Sequence, residues 1–211
     1  MAGPYRLVQW DANKRRYDLA IGAGVVASVA AFAGTTALAN PGLTAETIII
    51  RATAITALAL LHVILVIGPL ARLDARFLPL LYNRRHLGVT TFLVALVHGA
   101  FATLQFHGFG VVNPLVSVFA AYGIDYAPGL ANVPRLLPFE VFGLVALVGL
   151  FLLAATSHDF WLKHLGATIW KSLHQLVYLV YGLVLAHVAL GAWQSERGAA
   201  LPVLMGAGFV A

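Results

Sequence analysis

Residues 173–193 read LHQLVYLVYGLVLAHVALGAW, with no Asp, Glu, Lys or Arg anywhere in the run. At about 1.5 Å per residue, a helix of this length spans about 30 Å, the hydrocarbon thickness of a bilayer. The stretch therefore decides the fold: it is a helix made to lie in lipid. It also carries two histidines, His174 at its start and His187 towards its end. An imidazole in lipid is expensive without a partner, so both are candidate site residues.

Working outward, four more runs have the same character, at 19–38, 52–71, 87–106 and 141–157. A sixth begins near Ala199 and stops at Ala211, too short to cross. The chain is 61% hydrophobic and 10% charged, against about 25% charged residues in a soluble domain. The expected fold is all-α: a polytopic membrane helical bundle of five full transmembrane helices plus an incomplete sixth, in one domain over 1–211. Residues 1–18 are expected to be a cytoplasmic N-terminal segment, and 107–138 an outer loop with a short interfacial helix near 116–122. Ala37-Leu38-Ala39 resembles a signal-peptidase site, but the run before it is long for a signal, so a retained first helix is expected. The native polypeptide is expected to continue beyond Ala211.

Charge gives the orientation. Of thirteen Lys and Arg, ten fall on the N-terminal side of the membrane, among them Arg72, Arg76, Arg84, Arg85, Lys163 and Lys171. Only Arg51, Arg135 and Arg197 fall on the other. Positive residues favour the cytoplasmic side, so the N-terminus is placed there, in a bacterial-type inner or plasma membrane. The cations sit at span ends, so membrane lipid and not nucleic acid is the implied partner. The chain has no Cys, which excludes disulfides, thiolate-bound iron–sulfur clusters and a Cys nucleophile. No Gly-rich phosphate loop stands between a strand and a helix.

The third run repeats the histidine pattern, with His86 at its start and His98 within it. The third and fifth spans point the same way, so His86 and His174 share one level and His98 and His187 another. The separations of twelve and thirteen residues correspond to about 18 and 20 Å along a helix. Neutral imidazole suits iron, and haem iron is routinely held by axial histidine. Closed zinc sites need clustered ligands, so one bis-histidine haem near each leaflet is preferred. Angular phase opposes the scheme: at about 100° per residue the two third-helix histidines lie about 120° apart, and the fifth-helix pair about 140°. Tilt, a π-bulge or a different partner is required.

Other residues carry secondary readings. His62, in Leu60-Leu61-His62-Val63, is a substitute ligand, a propionate or quinone contact, or a hydrogen-bonded packing residue. His107, His158 and His164 are expected to be solvated. Arg84 and Arg85 could neutralise propionates of an inner haem, or serve topology alone. Gly99, Gly182 and Gly191 admit either a macrocycle or another helix.

Arg84-Arg85-His86-Leu87-Gly88-Val89 with Leu96-Val97-His98 resembles the third-helix signature of ferric-reductase-like transmembrane proteins. Pro138-Phe139-Glu140, Thr156-Ser157 and the stretch from Trp170 through His174 and Tyr178 to His187 resemble the fourth and fifth helices. The likeness covers roughly 50–193 and is closest to the MsrQ-type haem subunits. It implies a bundle carrying b haems, with His98, His174 and His187 at the ligand positions. Larger two-haem members space the third-helix pair more widely than His86 and His98 are spaced here. One haem, two haems or a three-histidine site with shared ligands all stay open.

The expected function is haem b-based electron transfer across the membrane, from a quinol or a flavin or iron–sulfur donor to an acceptor. FMN and quinone are further candidate cofactors, and a redox partner protein or a fused redox domain beyond residue 211 is the expected partner. The alternatives are a ferric or other metal reductase acting directly at the outer haem, and a haem-free membrane scaffold whose histidines hydrogen-bond inside the bundle.

Overall fold

A computed structural model describes residues 12–108, Asn113, Val118 and 139–195. The described chain is helical: α1 (Ala12–Ala39), α2 (Ala45–Leu73), α3 (Leu78–Thr103), α4 (Phe139–Ala155), α5 (Asp159–His174) and α6 (Leu176–Ser195). A 3₁₀ turn, Ala75–Phe77, leads into α3, and a π-helical turn, Leu104–Gly108, ends it. Helix is what lipid demands, because each backbone N–H and C=O must find its partner within the segment. Side-chain hydroxyls follow the same rule. Thr53, Thr90 and Thr91 return their hydrogens to the carbonyls of Ile49, His86 and Leu87, four residues back.

Helix ends are set locally. Thr44 caps α2 by accepting from the Thr47 amide, and Asp74 caps the 3₁₀ turn by accepting from the Arg76 amide at 2.8 Å. His158 starts α5, its Nδ1 accepting from the Phe160 amide. Gly166 interrupts α5 with φ of 75°, a left-handed conformation open to glycine at little cost.

Four described helices have the length and apolarity to cross a membrane: Ala12–Ala39, Ala45–Leu73, Ala75–Gly108 and Asp159–Gly191. The expected count of five full spans is thus matched in four of the described helices. Run 141–157 forms α4, whose 17 residues fall short of the other four and lie at the lower limit for crossing. A second difference concerns 159–174. These residues lie between the apolar runs 141–157 and 173–193, yet they are helical and join α6 through Gln175. The sixth run, the interfacial helix near 116–122 apart from Val118, most of the outer loop, Arg135, Arg197 and residues 1–11 lie outside the described residues.

The core is built by α2, α4 and α6: Leu61, Ala146, Leu150, Leu153 and Val180 form one buried cluster, with Phe92 and Ala95 of α3 packed against it. Helix α3 lies between α2 and α4, and α4 packs on α6, so α3 and α6 face each other across the core and are not close neighbours. Helix α1 stands outside, buries no residue of its own, and is tied to α2 by a 2.9 Å Ser28–Thr56 hydrogen bond. Leu93, Val97 and Phe101 of α3, Val148, Phe151 and Leu152 of α4, and Tyr178 and Leu179 of α6 are exposed. On a soluble protein such a surface would be a liability; here it is the lipid face of a multi-pass integral membrane protein.

Candidate metal centre

His98 and His187 come together. Their ring centres lie 6.3 Å apart with planes at 72°, although their helices do not pack side by side. Each ring is oriented by a backbone carbonyl. His98 Nδ1 donates to the Ile50 carbonyl of α2 at 3.0 Å, and His187 Nδ1 donates to the Phe139 carbonyl of α4 at 2.8 Å. A carbonyl only accepts, so both Nδ1 atoms carry the hydrogen and both Nε2 atoms keep a lone pair. Metal-binding histidines are commonly oriented in this way.

Close packing makes the second bond reachable. A Cβ on Gly143 would sit 2.7 Å from His187 Nδ1, inside any permitted contact. The missing side chain lets the imidazole pass over α4 to the carbonyl one turn earlier, while the Phe139 ring packs on the imidazole at 5.4 Å. Gly191 in turn admits Phe139, at 3.2 Å from a would-be Cβ, and Gly99 admits Leu147 at 3.0 Å. These two glycines serve helix approach. Gly182 has nothing within 4 Å of a built Cβ and faces open space.

The pair fits a shared metal. Two imidazole nitrogens about 2 Å from one metal, with ring centres about 1 Å behind them, would be separated by about 6 Å centre to centre. The donor set, two neutral imidazoles in an apolar bundle, is one that iron accepts. Among the described residues no group of three or more His, Cys, Asp and Glu is arranged for a metal, so a closed protein-only metal cage is not part of the described site.

His174 lies elsewhere. Its ring stacks on Trp170 at 3.8 Å and its Nδ1 donates to the Trp170 carbonyl at 3.0 Å. Its Nε2 is buried with no partner in bonding geometry; the Leu153 carbonyl is near but outside that geometry. Trp170 is held by an indole hydrogen bond to the Thr156 carbonyl, and Arg85 covers its ring at 4.6 Å. Arg85 also pairs with Asp159 at 2.6 Å. Asp159, Arg85, Trp170 and His174 thus form a continuous column. Arg84 is exposed.

His86 does not join His174. It turns to α1, where Nδ1 meets Asp18 Oδ1 at 2.7 Å and Tyr17 packs edge-on at 6.3 Å. The π-helical turn lies beyond His98 and so does not re-aim the two α3 histidines. His62 bonds the Leu58 carbonyl through Nδ1 at 2.7 Å, and its Nε2 accepts from the Tyr181 hydroxyl at 3.1 Å. His107 is buried at 5% exposure, against the expectation of a solvated histidine, because the π-helical turn carries it inward. His158 and His164 are exposed. Sequence reasoning missed Gly143, Tyr181 and Asp18. Of these only Gly143 left a signal, as a small residue one turn after Phe139.

An all-helical membrane bundle with facing histidines on its third and last described helices defines a class, and sequence comparison identifies it. Residues 53–185 match the family described as ferric reductase like transmembrane component, and the chain belongs to that family. It is 32% identical over 139 residues to the protein-methionine-sulfoxide reductase heme-binding subunit MsrQ of Polaromonas naphthalenivorans, covering 66% of this chain and 56% of that one. It is 38% identical over 74 residues to the protein of the same name from Caulobacter vibrioides, covering 35% and 34%. The chain thus spans about half or less of the length of these relatives. No solved structure matches it.

Proposed function

We propose that this protein is a haem b-binding, electron-transferring membrane subunit in which His98 and His187 hold one haem as axial ligands. The observation that carries the reading is the pair itself: two imidazoles 6.3 Å apart, each with Nδ1 fixed on a carbonyl and Nε2 left to bind. The names of the two relatives, both heme-binding subunits, support it. The buried Nε2 of His174, without a partner in bonding geometry, supports that residue as the ligand for a second, inner haem. His86, held by Asp18, is assigned to anchoring α1.

When bound, haem supplies one-electron uptake and release. The chain's own residues do the rest. The carbonyls of Ile50 and Phe139 fix tautomer and ring orientation, Gly143 admits the His187 ring, and the core of Leu61, Leu150 and Val180 excludes water. Arg85 and Trp170 hold the ring of His174. The donor is a quinol, or a separate or fused flavin or iron–sulfur protein, and the acceptor is a partner reductase on the opposite face. The relatives' names supply the acceptor class, since both are subunits of a methionine-sulfoxide reductase.

The orientation rests on charge. The Asp18–His86 and Arg85–Asp159 contacts tie α1, α3 and α5 at one end of the bundle. Arg72, Arg76, Arg84, Lys163 and Lys171 belong to the helix ends gathered there, which is the cytoplasmic end in a bacterial inner membrane. The test is a reduced-minus-oxidised visible spectrum of detergent-purified protein, with haem quantified per chain. Low-spin b-type bands, with one haem per chain fewer in His98→Ala and in His187→Ala than in the wild type, support the assignment. Colourless protein after expression with ample haem overturns it and leaves the scaffold. Reduction of ferric chelates without a partner protein would move the protein to the direct metal reductases.

A further inference from the structure

Towards the π-helical end of α3, beside the His98–His187 pair, are two buried oxygens without a hydrogen-bond partner: Glu140 Oε2 on α4 and Gln105 Oε1 on the π-helical turn. Gln105 spends its amide hydrogen on Thr47 Oγ1 at 3.1 Å, leaving its oxygen unpaired. The Gly99–Leu147 approach sets the register of α3 against α4. From that level Gln105 lies six residues outward and Glu140 seven, about 9 and 10 Å along their helices. The two acceptors therefore share a depth. Glu140 also adjoins Phe139, whose carbonyl orients His187.

A carboxylate with a buried, unpaired oxygen is unstable in a low dielectric, and a proton is what removes the penalty. An electron arriving nearby is a second negative charge, and the interaction between the two is strengthened by the apolar surroundings. We propose that Glu140 is a proton-binding site coupled to the His98–His187 centre: its carboxylate takes up one proton when the centre accepts one electron, and releases it on oxidation. The electron comes from the donor, or from a chemical mediator in vitro, and the proton comes from water. The net charge of the site is then unchanged. This rests on the proposed haem assignment.

Among the described residues, the titratable and charged groups on the surrounding elements are His98 and His107 on α3 and its π-helical turn, His187 on α6, and Glu46 and Arg51 at the same end of α2. Glu46 is exposed. His107 is the competitor.

The experiment is redox potentiometry of the haem-loaded, detergent-solubilised protein at a series of pH values, beside redox-induced infrared difference spectroscopy. In the wild type the midpoint potential should fall with rising pH by up to about 59 mV per unit, the value for one proton per electron, and reduction should produce a protonated-carboxyl band. Glu140→Gln should flatten the slope and remove the band, while Glu46→Gln keeps both. A flat wild-type profile, a slope that survives Glu140→Gln, or one lost only in His107→Gln overturns the proposal. Should Glu140→Gln fail to fold, the wild-type infrared spectrum decides, and absence of the band overturns it. A preparation without haem is recognised by its absorbance before titration. It overturns the underlying reading, and this proposal with it.

Discussion

His98 and His187 face each other at 6.3 Å, yet neither is oriented by the other's helix. The carbonyl that fixes His98 belongs to α2 and the one that fixes His187 belongs to α4. Four helices therefore define two rings. A histidine pair supported in this way is pre-oriented, which lowers the ordering cost of the proposed metal binding.

Replacing either histidine of the pair removes a ligand without touching the other's anchor. His98→Ala and His187→Ala are each expected to lose haem at that site, whereas His86→Ala retains it and loosens α1. Haem per chain by absorbance, with limited proteolysis near α1, checks all three. Loss of the same haem in His86→Ala would count against the assignment.

Gly143→Ala places a methyl group 2.7 Å from His187 Nδ1, so the ring must leave the Phe139 carbonyl. The expected outcome is a cost of about 1–3 kcal/mol from overpacking, with most bound haem lost or its spectrum shifted. Gly182→Ala, with nothing within 4 Å, is the matched control and should bind haem normally.

Gly149→Ala should destabilise the bundle without altering the site. The added Cβ falls 2.5 Å from Val180 Cγ2, again about 1–3 kcal/mol. Val180→Ala on the same background makes room for it. Thermal unfolding in detergent should show the double variant recovering part of the loss. Additive losses would mean that the α4–α6 contact is looser than described.

Tyr181→Phe removes the hydroxyl that meets His62 at 3.1 Å. Hydrogen bonds between membrane helices are worth about 0.6 kcal/mol on average and rarely exceed about 1.7. The expected loss lies in that range. His62→Ala should cost little more when added to Tyr181→Phe than the first change alone, and chemical unfolding of the four proteins reads the coupling.

Much of the fold was legible because lipid leaves few choices. A charge-free run of sufficient length is a helix, and the runs containing His62, His98 and His187 fell within such helices. The His98–His187 pair was legible from order and spacing along two spans running the same way. His86 was not placed, because twelve residues rotate it about 120° from His98, and only the position of α1 beside it shows that Asp18 is what it meets. The Tyr181–His62 bond depends on α2 reaching α6 across the core, which no local pattern encodes. Helix α5 does not stand out as an apolar run because Asp159, Lys163 and Lys171 interrupt it; Gly166 lets it bend without ending.

Chain order gives the pair a history as well as a geometry. Ile50 and His98 are synthesised early, so the first imidazole is seated while the ribosome is still far from α6. Phe139 follows, and His187 comes last among the four. On the proposed assignment, haem capture at this pair is a late event in biogenesis, and a nascent chain arrested after α4 is expected to lack haem at that site.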